Sequence, residues 1–423
     1  MRILWWVLLR AAIGLSAAMA VAVAWPDAGS LAPQVPDLVE PLEPPPIRDV
    51  RVLLARTDQV QIRSSVGLAV GDAGRRVVSR TEPGEWATVA VDEDGRLTVD
   101  GRAAAQEHLR VEPERAATLF VRLPDDGGWA DPREYFGRIE VLPRDAARIA
   151  VINHVDVEHY VACVTANEVW PTFEQEALRG QAIAARSYVV YQMTRRNAAD
   201  FDVSATQGSQ VYRGLRRDRI GQRAARATQH TRGIVLSYND GDRDRLFCAY
   251  YSAACGGMSQ SAAIFGVEGD VEPLAGGVAC DYCRIAPGET YRWGPVTLKK
   301  RDLQDQLVTR YPELEDLGDL RRVEVAETTT TGRAVSIRLT GSIGQTHELL
   351  AERFRHAVDP MTLRSTHFQI RDEGTEVVFE DGRGFGHGLG LCQWGMQGQA
   401  KEGRRADEIL TYYFRSARLT RVY

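Results

Sequence analysis

The sequence lacks several features that would place it at once in a common class of protein. It has no H-E-x-x-H pair, which argues against a catalytic zinc, and its glycine-rich segment matches neither the P-loop nor G-x-G-x-x-G, which argues against a nucleotide site. No internal repeat is present. A formal net charge of −5 argues against a general nucleic-acid binder. With 423 residues, 44% hydrophobic and 26% charged, the composition is that of an ordinary globular protein with a full core.

The N-terminus carries a long apolar run. It follows Met1 and Arg2, is interrupted by Arg10, and ends in a small-x-small sequence at Ala24. We predict a signal peptide over residues 1–24, with an uncleaved membrane anchor as the alternative. No cysteine follows the run, so a lipoprotein anchor is not indicated. Residues 25–47 are rich in proline and are predicted to be a linker. We therefore expect an exported protein of the cell envelope that meets the membrane only if this segment stays uncleaved.

The rest of the chain predicts an α+β fold with a β-rich core and few helices. Residues 48–150 contain short apolar runs between glycine and aspartate turns, which indicates an N-terminal β-rich subdomain. Residues 151–423 are predicted to form the main core. Within it we expect a helix pair over 153–196, paired strands at 233–238 and 245–252, a helix at 297–307, a hairpin over 321–339, a strand at 376–379 and a closing helix at 407–414.

The first helix of the pair places one carboxylate on its apolar face. Asp156 is a good N-cap, and Pro171 disfavours helix at the preceding residue, so the helix should end near Glu168. Tyr160, Val161, Val164 and Glu168 share one face by their spacing. Burial and the negative end of the helix dipole both raise the pKa of a carboxyl group in that position.

Such a carboxyl group suits general acid catalysis near neutral pH. The competing interpretation is a structural ion pair between Glu168 and a nearby arginine, which on spacing alone is the commoner case.

The second helix should begin after the Trp-Pro break. Thr172 and Gln175 match a capping box, and a core stripe follows at Leu178, Ala182, Ala185 and Val189. Two polar residues of this helix lie off that stripe and are candidates for the border of a cleft, although solvated polar positions are more common. They are Gln181 and Arg186.

A glycine-rich segment lies near the C-terminus. It carries glycines at 384, 386, 388 and 390, with His387 among them and Gln393 just after. Alternate glycines leave no side chain on one side, so another group can approach the backbone closely. We expect this segment to form a wall of the substrate cleft, although a lone histidine in such a loop is more often structural.

The six cysteines suggest a metal site or disulfides. Cys280 and Cys283 have zinc-knuckle spacing, Cys255 could complete the set, and Cys248 is a possible fourth ligand. Outside the cytoplasm a disulfide is an equally good interpretation. Cys163 is expected to be packed in the core.

Four blocks of this sequence, taken together, resemble one known family. They are N-E-V-W-P with the following E-A-L-R-G-Q-A-I-A-A-R-S-Y, then Q-V-Y-R-G at 210–214, then A-Y-Y-S-A-A-C-G-G, and finally G-F-G-H-G-L-G-L-C-Q-W-G-M. In this order they resemble the stage II sporulation protein D and amidase-enhancer (SpoIID/LytB) family over roughly residues 48–423.

The resemblance implies action on the glycan strands of bacterial peptidoglycan. Members similar to this chain are lytic transglycosylases that cut between N-acetylmuramic acid and N-acetylglucosamine in strands without stem peptides, leaving 1,6-anhydro ends. The catalytic glutamate of the family falls on Glu168, and no cofactor is required for catalysis. Other motif positions, implied to bind substrate, fall on Gln181, Arg186, Tyr188, Tyr212, His387 and Gln393.

The chain departs from the family pattern at three places. Val169-Trp170-Pro171 stands where Met-Pro is more usual, Cys392 stands where Met or Ser is more usual, and no histidine accompanies Cys255 as in a family member with a mixed His and Cys zinc set. Two other hypotheses therefore stay open. One is a non-catalytic glycan-binding activator of a cell-wall amidase, and the other is a zinc hydrolase built on the cysteines.

Overall fold

The computed structural model describes residues 49–423, except for residues 73, 75, 105–107, 127, 146, 197–198 and 267–270. The predicted signal peptide and linker lie outside this range. The described chain has the predicted β-rich α+β fold, with many small sheets and few helices. Within the described residues, none of the helices has the length and apolar character needed to cross a membrane.

The helices of the described residues fall into two groups. Five of the seven α-helices, including the one that ends at Glu168, pack in one group, and two lie in the region of residues 293–379. They are α1 Val157–Glu168, α2 Gln175–Arg195, α3 Arg219–His230, α4 Lys300–Arg310, α5 Ala351–Val358, α6 Gln393–Lys401 and α7 Ala406–Tyr413.

Most of the N-terminal strands form two large antiparallel sheets, and two short strands at 124–125 and 128–129 form a separate pair. One large sheet has the order β15-β1-β14-β13-β8-β3-β4, in which β15 adds parallel to β1, and the other has the order β12-β9-β2-β5-β6-β7. The strands are β1 Val50–Thr57, β2 Gln59–Arg63, β3 Leu68–Asp72, β4 Val77–Thr81, β5 Ala87–Val91, β6 Leu97–Val99, β7 Arg102–Ala103, β8 Leu109–Pro113, β9 Leu119–Arg122, β10 Pro124–Asp125, β11 Gly128–Trp129, β12 Arg133–Tyr135, β13 Arg138–Asp145, β14 Arg148–Val155 and β15 Val203–Ser204.

The remaining strands form pairs and three-stranded sheets. The orders are β17-β16-β28, β18-β27, β19-β26, β20-β25-β24 and β21-β22-β23. The strands are β16 Ile234–Asn239, β17 Asp244–Leu246, β18 Tyr251–Ser252, β19 Arg292–Trp293, β20 Val296–Lys299, β21 Leu320–Thr328, β22 Ala334–Gly341, β23 Thr346–Leu350, β24 Gln369–Glu373, β25 Glu376–Glu380, β26 Gly382–Arg383, β27 Leu391–Cys392 and β28 Ala417–Arg421.

The largest core joins the two N-terminal sheets to α1 and α2. Valine, isoleucine and leucine alternate with polar residues along these strands, so one face of each sheet is apolar and buried. The strand β14 is buried on both faces and leads directly into α1 through Asp156. The position of α1 is therefore set by the centre of the core.

Residues 293–379 have an apolar core of their own. Its buried members all lie between Trp293 and Phe379, on α4, α5 and the sheets beside them. The hairpin of this region was predicted closely: β21 and β22 pair around Gly332. The helix predicted at 297–307 is partly wrong, because Val296–Lys299 is a strand that pairs with β25, and the helix begins only at Lys300.

The beginning of α2 also differs from the prediction. The helix starts at Gln175, its N-cap is Glu174, and no side chain caps it, so the capping box from Thr172 is wrong. The backbone N–H of Glu174 instead donates to Gln397 Oε1 of α6 at 2.7 Å. A tertiary contact thus replaces the local cap.

Candidate active site

The local structure of α1 follows the prediction. Asp156 Oδ1 accepts hydrogen bonds from the N–H groups of Glu158 at 2.9 Å and His159 at 3.3 Å, and the helix ends at Glu168. Tyr160, Val161 and Val164 on the same face are fully buried. Glu168 is half-buried at the end of this face. The carboxylate therefore emerges where the core meets solvent.

The carboxylate of Glu168 is held by neutral donors. The N–H of Val211 donates to Oε1 at 2.7 Å and the hydroxyl of Tyr251 donates to the same oxygen at 3.1 Å. Burial raises the pKa of Glu168, while these hydrogen bonds, Gln393 and the charge of Arg213 oppose the increase. Among the residues that the structure describes, no arginine or lysine forms an ion pair with Glu168.

A chain of hydrogen bonds determines which way the Tyr251 hydroxyl points. The hydroxyl of Tyr160 donates to Gln210 Oε1 at 3.0 Å, and Gln210 Nε2 donates to the oxygen of Tyr251 at 2.9 Å. Because the Tyr251 oxygen accepts from Gln210, its own proton points to Glu168. Glu168 Oε1 is then an acceptor from two donors. A proton on the carboxyl group must therefore sit on Oε2.

Two glutamines support the site from behind. Gln393 Nε2 donates to the backbone oxygen of Glu168 at 3.4 Å and to Gln181 Oε1 at 3.2 Å. The Gln181 side chain is fully buried, which contradicts its predicted place at the cleft border. The helix α2 runs through the protein interior, so positions off its apolar stripe face other elements. Gln181 orients Gln393, and Gln393 is the one of the pair next to the glutamate.

Arg186 does not lie in a cleft, so its predicted substrate-binding role is wrong. The side chain is fully buried, and its guanidinium group donates to Glu158 at 3.0 Å and 2.6 Å. Tyr423 also donates to Glu158, at 2.6 Å. Burial would raise the pKa of Glu158, but the charge and hydrogen bonds of Arg186 outweigh it, and the pKa is lowered. The structural ion pair thus involves Glu158 and not Glu168.

Two predicted substrate-binding tyrosines lie in the wall behind the site. Tyr212 is fully buried, stacks on Tyr160 and donates to Asn153 Oδ1 at 2.7 Å, which rules out contact with a sugar. Tyr188 is 8% exposed and packs edge-on against Tyr250. Both belong to the core that shapes the carboxylate environment.

His387 is held by backbone groups. Its Nδ1 accepts from the N–H of Leu389 at 3.0 Å, and the ring also bonds to the backbone of Tyr251. Burial lowers the pKa of His387 to about 4, so the ring is neutral at physiological pH. The structure therefore places His387 as a support for the strand that carries Tyr251.

Other parts of the protein pack closely against the glycine-rich segment. We had expected this segment to form the wall of an open cleft. At Gly384 and Gly390 a Cβ would lie 2.6 Å from the carbonyl oxygen of Ala254 and 2.3 Å from that of Tyr250. At Gly388 it would lie 2.8 Å from the guanidinium group of Arg333. The segment packs against residues 250–256, which include Tyr251.

Replacing Gly390 with alanine should destabilise the fold more than the same change at Gly374. Both glycines have positive φ, +61° and +64°, but a Cβ at Gly374 would meet nothing within 4 Å. We expect a loss of roughly 1–2 kcal/mol in unfolding free energy for Gly374→Ala and on the order of 3 kcal/mol for Gly390→Ala. Urea unfolding of the two variants measures both. Equal losses would show that the Tyr250 contact carries no energy.

Four buried cysteines come together, although not the four that we predicted. The sulfurs of Cys255, Cys280, Cys283 and Cys392 all lie within 4.8 Å of one another. Cys248 is outside the cluster, where its sulfur accepts from Gln192 Nε2 at 3.6 Å, so it is wrong as the fourth ligand. Cys163 is buried in the core, as expected. The missed member, Cys392, immediately precedes Gln393 at the start of α6.

An aromatic surface adjoins the glutamate. Trp170 is 53% exposed, only two residues beyond Glu168, and its ring packs against Trp394 with a centroid distance of 5.8 Å. Phe173 also packs edge-on against Trp394, with a centroid distance of 5.0 Å. The exposed side chain of Arg213 also lies close enough to interact with the Glu168 charge.

These observations describe an α+β protein in which a half-buried glutamate of raised pKa lies at the end of a core helix. Models of known protein families match the chain. A family model described as Stage II sporulation protein matches residues 145–238, which contain α1, α2 and Glu168. A second model, for a domain of unknown function (DUF8618), matches residues 285–390.

The chain is also similar to individual proteins, one of which carries the name of the first family. The chain is 30% identical to an uncharacterized protein of Brachyspira hyodysenteriae over 68% of this chain and 73% of that protein. It is 24% identical to the Stage II sporulation protein D of Bacillus subtilis over 64% of this chain and 76% of that protein. It is 21% identical to the Amidase enhancer of Bacillus subtilis over 77% of this chain and 49% of that protein. The chain belongs to the SpoIID/LytB family.

Proposed function

We propose that this protein is an exported lytic transglycosylase of the cell envelope that cleaves peptidoglycan glycan strands, with Glu168 as both acid and base. One observation carries the proposal: a half-buried glutamate of raised pKa, without a cationic partner among the described residues, whose Oε1 is occupied by two hydrogen-bond donors. This arrangement favours a carboxyl group with its proton on Oε2. Such a group can protonate a glycosidic oxygen at neutral pH.

The proposed reaction needs one carboxyl group and no water. Glu168 Oε2–H gives its proton to the oxygen that links N-acetylmuramic acid to N-acetylglucosamine, and the bond from C1 to that oxygen breaks. The muramyl 6-hydroxyl oxygen then bonds to C1, and its proton passes to the Glu168 carboxylate. The acid is restored and the product is a 1,6-anhydro ring. Ordinary glycosidases need two carboxyl groups, because water attacks there.

The surroundings of Glu168 suit a sugar polymer. The exposed indole of Trp170 offers a flat apolar face, and its ring packs against Trp394. We infer that Trp170 stacks on a sugar ring beside the cleaved bond. We also infer that the exposed Arg213, whose charge acts on Glu168, attracts the lactyl carboxylate that a strand without stem peptides exposes.

The name of one relative favours a second candidate function. That protein is named Amidase enhancer. The alternative proposal is therefore that this chain is a non-catalytic glycan-binding activator of a cell-wall amidase. The same surface would bind the strand, but a protonated Glu168 would have no role. The two candidates therefore differ in whether products form.

The deciding experiment is mass spectrometry of denuded glycan strands after incubation with the purified wild type and with Glu168→Gln. We expect 1,6-anhydromuramyl ends from the wild type only. Equal strand binding without products from either protein would support the activator. Reducing ends in place of anhydro ends would show attack by water and overturn the proposed mechanism.

The hydroxyl of Tyr251 should set the pH range of the reaction. It stabilises the ionised carboxylate, so Tyr251→Phe should raise the pKa of Glu168 further. Because the protonated acid is the active form, the pH at which activity is lost on the alkaline side should move upward. The pH profile of anhydro-product formation measures this shift. Tyr212→Phe removes another tyrosine hydroxyl, one that donates to Asn153 and not to Glu168, and should leave the midpoint in place. A downward shift in Tyr251→Phe would contradict the assigned direction of its hydrogen bond.

A further inference from the structure

The four-cysteine cluster has the geometry of a metal site. Its sulfurs are mutually close, and the separation of Cys255 Sγ and Cys283 Sγ is 3.8 Å. Four sulfurs at about 2.3 Å from a tetrahedral zinc ion are about 3.8 Å apart. A disulfide needs a separation of about 2.0 Å and would pair the sulfurs two by two. Four sulfurs that all lie within 4.8 Å of one another match one central ion better than two separate bonds.

Donors surround the sulfurs as they do in thiolate sites. The N–H groups of Cys255 and Gly395 donate to Cys392 Sγ at 3.2 Å and 3.3 Å, and the hydroxyl of Tyr413 lies 3.0 Å from Cys280 Sγ. Such contacts stabilise negative sulfur and orient it toward a metal. A Cβ on Gly395 would lie 2.4 Å from Cys280 Sγ, so a glycine leaves room for this sulfur.

A buried arginine beside the cluster is a further observation that favours a metal site. Arg333 is fully buried and donates to the carbonyl oxygens of Cys255 at 2.8 Å and Gly386 at 3.0 Å. Within the described part of the chain it forms no ion pair with a carboxylate. The charge of Glu352 acts on Arg333 only without a direct ion pair, and a buried cation that lacks such a pair is costly. Four thiolates around a divalent ion carry a net charge of −2, which would add negative charge beside Arg333.

We propose that Cys255, Cys280, Cys283 and Cys392 bind one structural zinc ion. The site ties the loop after β18, the turn at Asp281–Ile285 and the start of α6 to one another. Cys392 is followed by Gln393, whose side chain contacts the backbone of Glu168. The zinc ion therefore holds in place the helix that supports the carboxylate, without taking part in the reaction.

Metal analysis and thiol counting of the wild-type protein test the proposal directly. Elemental analysis of protein purified without added metal should find about one zinc ion per chain. After denaturation in chelator, all six cysteines should react as thiols. A metal-free protein with fewer than six reactive thiols would overturn the proposal in favour of disulfides, and iron in place of zinc would overturn the identity of the ion.

Cysteine-to-serine variants test which residues bind the zinc ion. After identical dialysis against chelator, Cys280→Ser and Cys392→Ser should lose most of their zinc, to below about a tenth of an ion per chain, and unfold at lower temperature. Cys248→Ser replaces a buried cysteine outside the cluster and should keep its zinc. Zinc retained equally by all three variants would place the ion elsewhere. The wild-type measurements decide the question if a variant fails to fold.

Discussion

Glu168→Gln is expected to lower the rate of anhydro-product formation by about 10³- to 10⁴-fold, at the upper end of what general acid–base groups contribute. The expectation is at the upper end because one carboxyl group both gives and takes the proton. Glutamine keeps an oxygen that can accept from Val211 and Tyr251, so the surroundings should persist. The initial rate of formation of anhydromuramyl ends measures the loss.

The same substitution should raise stability at neutral pH. The pKa of Glu168 is raised in the folded protein, so the wild type binds its proton more tightly when folded and loses that advantage as pH rises through the folded pKa. Glutamine never becomes charged. Glu168→Gln should therefore be more stable than the wild type above the folded pKa, and the difference should vanish below the unfolded pKa of about 4.3.

An exposed carboxylate nearby provides the control. Glu174 lies just beyond the Trp170-Pro171 segment that follows Glu168, but it is exposed, and its side chain makes no capping bond. Glu174→Gln should leave the rate of anhydro-product formation unchanged and should change the free energy of unfolding at neutral pH by at most about 0.5 kcal/mol. If Glu168→Gln were instead less stable at neutral pH, the carboxylate would be charged and paired in the folded protein, and the acid role would have to be given up.

Arg186→Met should cause the largest loss of stability. It leaves the Glu158 carboxylate buried without its cation, and breaking a buried pair in this way costs about 3–5 kcal/mol. Thermal or urea unfolding measures the loss. Arg338→Met breaks an exposed pair with Glu348 and should cost at most about 1 kcal/mol. A comparable loss at both positions would contradict the importance of burial.

The pH dependence of this variant should also reverse. In the wild type the pKa of Glu158 is lowered, so its contribution is present above the unfolded pKa and is lost as pH falls through the folded pKa. Without Arg186, burial raises the pKa of Glu158 above its unfolded value. Relative to the wild type, the variant should then lose the least stability in acid and the most at neutral pH. Replacing both residues by apolar ones should recover much of the loss.

The comparison of two glutamates shows how far local sequence could predict the site. Spacing placed Glu168 on the core face near the end of α1, and the structure agrees. Spacing left open which carboxylate is paired with an arginine. The answer depends on Arg186, 28 residues beyond Glu158 on the next helix, and on Tyr423 at the end of the chain. No local pattern contains that information.

The residues that bond to the Glu168 carboxylate were missed for the same reason. Val211 contributes only a backbone N–H, which any residue type supplies, and Tyr251 lies 83 residues from the glutamate. Both stand in sequence blocks that carry the family resemblance, and this was the only available signal. The helix α6 was missed because its glycines lower helix propensity. Packing requires them: a Cβ on Gly398 would lie 2.6 Å from the Tyr282 carbonyl oxygen.

By itself the sequence determined what short-range chemistry determines: the β-rich α+β class, the cap and the end of α1, the inward position of Glu168 and the closeness of Cys280 to Cys283. Those features depend on residues a few positions apart, through helix periodicity, proline geometry and turn preference. Only the tertiary structure decided which glutamate is paired, which cysteine completes the cluster and which groups bond to the carboxylate. Each of those depends on contacts between distant segments, and burial of a charge, a thiol or a hydroxyl sets their energies only after the chain has folded.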